Sequence, residues 1–172
     1  DLARLAVARS DLAAAHDALG IILKENLGLG SRLYLPLLYV AAVSYARPFT
    51  QNKPHGALQE KWSKFADPNR QRLHDQVLEL RHQYVAHSDQ SARVVRIIPA
   101  GYVIPGANVP FVKTGLAVNN IGYDIEFVKA LSAHIVELGH RMNVEVEALL
   151  EELYKGAEMP KEPFDLVVNE DL

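Results

Sequence analysis

Arg81 and His87 are the pair of residues in this chain best suited to chemistry. Five residues separate them within Leu80-Arg81-His82-Gln83-Tyr84-Val85-Ala86-His87-Ser88-Asp89. A guanidinium can grip a phosphate through two parallel hydrogen bonds and stabilise charge growing on its oxygens. An imidazole, with an unperturbed pKa of ~6.5, takes or returns a proton near neutrality. Together they suffice, without a metal, for attack of an RNA 2′-hydroxyl on the neighbouring phosphate, a nucleophile that DNA lacks. On an ideal continuous helix, at ~100° per residue, the two side chains are offset by roughly 120°. A loosened last turn, the reach of the arginine or a second subunit is needed to make them converge. The same spacing also fits two solvated helix-end residues, with the histidine favoured there by the helix dipole alone.

Other residues present weaker candidates. Arg47, Asn52, Lys53 and His55 form a polar loop ahead of the motif helix, placed to line the same cleft and hold RNA. His134, Glu137 and His140 fall at steps of three on the last helix and suggest a metal site. Successive steps of three drift by about 60°, however, and the pattern is not H-E-x-x-H, so no metal or cofactor is expected. His74, seven residues before Arg81 and nearly on its face, reads as a solvated residue that can add to a basic patch. Trp62 and Phe65 beside Lys61 and Lys64 mix aromatic and basic character, as base-stacking surfaces do, but Trp62 reads as core. Gly28-Leu29-Gly30 lacks the preceding strand and the third glycine of a dinucleotide loop.

The elements that must position these residues follow from composition and periodicity. The 172 residues, 49% hydrophobic and 23% charged, suit one domain with a proper core. The net charge of -3 gives no global attraction to polyanions, so RNA must be held by a local patch. With no cysteine there are no disulfides, thiolate sites or Cys nucleophiles, which fits a cytoplasmic location. The longest apolar stretches, such as 33–43, are too short to cross a bilayer, and no targeting segment is visible.

Leu2, Leu5, Leu12, Leu19, Ile22 and Leu23 predict a first helix over residues 2–27, ended by Gly28 and Gly30. Ser31 is placed to cap a second over 32–46, with Pro36 marking a kink or a later start. Residues 47–56 read as an exposed loop and 57–65 as a short helix. Asp67-Pro68 is a capping carboxylate followed by a first-turn proline. The helix it opens carries Leu73, Val77, Leu80 and Tyr84 on one stripe and should run to about His87. Residues 92–120, rich in β-formers and punctuated by proline and glycine, predict a small inserted β-hairpin. Asp124 or Asn120 starts a last helix to about Tyr154, with Phe127, Leu131, Ile135, Leu138, Met142, Val146 and Leu149 facing inward. The expectation is a mainly α protein: a bundle of about four major helices over 1–155 with the insert, then an acidic tail over 156–172.

Arg81-His82, four further residues and His87 resemble the R-polar-x4-H signature of the HEPN superfamily. Tyr84-Val85-Ala86 and His87-Ser88-Asp89 look most like its abortive-infection (AbiU-like) branch. The specific motif covers about ten residues, although helix order is similar over about 1–155. The resemblance implies a HEPN-type helical bundle with the motif near the end of the third major helix. It further implies a metal-independent endoribonuclease of toxin–antitoxin or phage-defence systems, a homodimer with both motifs lining one cleft, and an antitoxin protein as partner. By position, Arg81 would contact phosphate, His87 would act as acid–base residue and His82 would fill the polar slot, where asparagine is commoner. Inactive relatives serve as binding modules for a protein or nucleotide. The insert at 92–120 departs from the minimal bundle and would either enlarge a substrate surface or cover the site.

Overall fold

The computed structural model describes residues 1–51, 56–82, 93–103, 113–120, 123–157 and 160–163. Among them, four long helices build a mainly helical bundle: α1 (Leu2–Lys24), α2 (Tyr34–Ala46), α3 (Pro68–Arg81) and α4 (Ile125–Leu153). α1 is the central element and packs against both α2 and α4, while α3 lies on α2 and meets α4 over a short stretch only. The seam on α1 is Leu5, Ala8, Leu12, Ala15, Leu19 and Ile22, alternating steps of three and four. Ala15 on α1 and Ala41 and Ala42 on α2 are all fully buried, and such small side chains let helix backbones approach closely. Leu12, Leu19 and Leu38 fill the remaining space, each worth about 1.5–3 kcal/mol in removed apolar surface.

Helix ends differ from the sequence reading where side chains other than glycine do the closing. α1 stops at Lys24 rather than 27. Asn26 adopts a left-handed φ of 48°, its N–H donates to Leu23 O at 3.3 Å, and Leu27 N–H reaches back to Ile22 O at 2.9 Å. These are the paired bonds of a Schellman motif with asparagine in the left-handed position, so Gly28 and Gly30 are not the terminators. α2 starts at Tyr34, which puts Pro36 in the first turn, where its missing N–H costs nothing. Ser31 Oγ accepts from Leu33 N–H just ahead of that start. The short helix expected over 57–65 reduces to a single 3-10 turn, Glu60–Trp62, with Trp62 buried in the core.

α4 begins as expected: Asp124 Oδ1 accepts from Phe127 N–H at 2.9 Å. Its inner face is Val128, Leu131, His134, Ile135, Leu138, Met142 and Val146, with Phe127 and Leu149 only partly buried. Two segments, β1 (Arg93–Ile98) and β2 (Gly115–Asn120), pair antiparallel with Val95 opposite Val118. No helix among the described residues is long and apolar enough to cross a membrane.

Candidate functional site

Arg81 is placed by the way α3 is started and seated. Asp67 Oδ1 accepts from Asn69 N–H at 2.9 Å, and Pro68 occupies the first turn, which fixes the N-terminus at the predicted position. Val77 and Leu80 anchor the helix in the core, and Arg81 is its last residue, half-buried beside them. Among the described residues Arg81 has no ion-pair partner. His82 follows with helical angles (φ -65°, ψ -52°) and is exposed. His87, Asn52 and Lys53 lie outside the described residues. Arg47, at the start of a 3-10 turn (Arg47–Phe49) that prolongs α2, binds Asp11 of α1 at 3.2 Å.

The main polar cluster that sequence reading missed lies between α2, α3 and α4. Tyr45 Oη is 2.7 Å from His74 Nδ1 and 2.9 Å from His134 Nε2. Phe49 and Phe65 close around the imidazoles, with Phe49–His74 and Phe65–His134 ring centroids both 4.7 Å apart. His74 is 2% exposed, which corrects the expectation of a solvated basic residue. It lies on the flank of the apolar stripe of α3, and the aromatic residues of α2 and of the loop before α3 extend the core over that flank. Burial pushes its pKa down, against a smaller upward pull from Asp75. Burial pushes His134 down as well, to about 4, assisted by His74, Arg70 and Arg141. Burial drives the Tyr45 phenol up, so it keeps its proton. All three groups are neutral at pH 7, and none adds to a phosphate-binding patch.

One hydroxyl proton between two imidazoles allows two arrangements. Tyr45 donates to His74 and accepts from His134 Nε2–H, or donates to His134 Nε2 and accepts from His74 Nδ1–H. In both, His134 Nδ1 is left over, and this buried atom has no hydrogen-bond partner. A signal for the cluster was present in the sequence: His134 immediately precedes Ile135 and lies one turn before Leu138, inside the apolar arc of α4.

His134 lines an open pocket of about 500 Å³ between α3 and α4. His140 instead lines a separate hollow of about 280 Å³ with Lys61, Trp62 and Arg141. Glu137 is ion-paired to Arg70. The three α4 residues that suggested a metal therefore do not share a site, and among the described residues no group of three His, Cys, Asp or Glu is arranged to hold one. Compared with protein families, curated proteins and solved structures, the chain shows no match.

Proposed function

We propose that the chain is a metal-independent endoribonuclease of the HEPN type, with Arg81 and His87 as its working pair. The observation that carries this reading is a half-buried arginine without an ion-pair partner among the described residues, at the last position of α3. A guanidinium so placed has its fork available for a phosphate, and its seating beside Leu80 limits the orientations it must lose on binding. Arg81 stabilises charge on the phosphoryl oxygens, and His87 takes the 2′-hydroxyl proton and returns one to the leaving 5′-oxygen. His82 occupies the polar slot beside Arg81. Arg47, Asn52 and Lys53 guide the RNA strand, with Arg47 exchanging Asp11 for phosphate. The bundle is HEPN-like with an inserted β-hairpin, and the cleft is completed by a second copy. An antitoxin protein and a role in toxin–antitoxin or phage defence follow from the resemblance.

The test is cleavage of mixed single-stranded and transfer RNA in EDTA by the native chain, Arg81→Ala and His87→Ala. The expected result is cleavage leaving 2′,3′-cyclic phosphate ends, reduced by about 10²-fold or more in each variant, and no action on DNA. Absence of cleavage by the folded native chain, or full activity in either variant, refutes the assignment. The former result favours an inactive helical module that binds a protein partner or nucleotide.

A further inference from the structure

We propose that the outer face of α2 is the surface on which two copies of this chain pair, antiparallel about a twofold axis. Leu33, at the N-cap, and Pro36 and Val40 point outward at steps of three and four, with Leu37 and Val43 half-buried at the edges of the same face. Leu33 is 58% and Val40 51% exposed, and Leu29, in the turn that leads into the helix, is 57% exposed. A helix face turned to water ordinarily carries charged side chains. Here no residue from 33 to 46 is charged. The core takes the opposite face of α2 through Leu38, Ala41, Ala42 and Tyr45, so the bundle leaves the outer one uncovered.

The occupant follows from that lack of charge. A twofold contact sets a patch on its own copy, so a charge near the axis would meet its like, whereas an uncharged apolar patch complements itself. A charged partner protein would find no counter-charge along this face. An anionic lipid surface would call for basic side chains along the helix, and α2 has none. The ends fix the direction. Arg32 stands just before α2 and Arg47 just after it. In a parallel pair each arginine would meet its own copy with the helix dipoles aligned, while antiparallel pairing separates the like charges and opposes the dipoles. Centred between Pro36 and Leu37, the pairing puts Leu33 of each copy against Val40 of the other. The 13 residues of α2 span about 20 Å. One helix face of that length falls short of the ~800 Å² per partner of a stable complex, so the dimer should dissociate at micromolar concentrations. The assignment goes beyond the ribonuclease reading, which calls for a second copy without saying which surface it covers.

The test is analytical ultracentrifugation of the full chain from roughly 1 to 200 μM, where a reversible monomer–dimer equilibrium is expected. Val40→Glu sets a carboxylate against Leu33 of the other copy and should weaken association at least about tenfold. Val40 is exposed, so the helical circular dichroism and melting temperature should stay as in the native chain. Val136→Glu, at a valine of α4 that is 57% exposed, should leave association unchanged. The chain has no cysteine, so single introduced cysteines report the geometry. A mixture of Leu33→Cys and Val40→Cys should be joined by a short bismaleimide faster than either variant alone. A monomer throughout the range, association undiminished by Val40→Glu or equally weakened by Val136→Glu, or no preference for the mixed pair would each overturn the assignment. No RNA enters these measurements, so their failure is distinct from failure of the ribonuclease reading.

Discussion

Acidification should unfold this protein earlier than its carboxylates alone would dictate, because two imidazoles are buried in neutral form. The pKa of His134 falls from an ordinary 6.5 to about 4 on folding. Between those values the unfolded chain binds a proton that the folded chain refuses, so stability falls as pH falls. A unit or more above pH 6.5 both states are essentially neutral there and the residue contributes almost no slope. At ~1.4 kcal/mol per unit, the full penalty from His134 is about 3 kcal/mol near pH 4, of which about 2 is reached by pH 5. His74, lowered in the same direction, adds to the loss. The charged groups around the cluster do not reverse the sign. Asp75 pulls His74 upward, but burial outweighs it, while Arg70 and Arg141 push His134 further down.

The assay is urea denaturation followed by far-ultraviolet circular dichroism at fixed ionic strength, from pH 7 to 5, where most carboxylates are still ionised. His134→Gln keeps an amide able to bond Tyr45 but removes the titration. The native chain should lose about 2 kcal/mol more than this variant over the interval. Parallel pH profiles for the two proteins would refute the reasoning, whatever their absolute stabilities.

Tyr45→Phe removes the one hydroxyl that serves both imidazoles. It should destabilise the fold by roughly 1–3 kcal/mol for each nitrogen left unsatisfied, read from the urea midpoint. Asp67→Ala deletes the side-chain cap on α3 and should cost about 1 kcal/mol in thermal or urea denaturation, with no change in the helices' identity.

Long periodic segments were legible before any coordinates. The α4 stripe and the Asp67-Pro68 start of α3 stand where residue spacing puts them, because capping and amphipathicity are local. The end of α1 was misread for a local reason too: asparagine also tolerates the left-handed conformation, and here Asn26 uses it before the glycines are reached. His74 was misread for a non-local one. Polarity and position on the stripe's flank suggest solvent, and only the arrival of Tyr45, Phe49 and Phe65 from other segments makes that flank interior. Within the proposed catalytic pair, the sequence places Arg81 in the closing turns of a helix expected to run to about His87, but spacing cannot report whether its charge is already paired.

Tyr45 stands outside the proposed catalytic pair but bridges two helices, its hydroxyl bonding His74 of α3 and His134 of α4. Arg81, seven residues after His74, leaves α3 on nearly the same side. If the ring cluster fixes the position of the whole helix, Tyr45→Phe weakens RNA cleavage under conditions where the protein remains folded. If it fixes only the turn around His74, cleavage is unchanged. The split between these results distinguishes a helix positioned as a rigid unit from one positioned turn by turn.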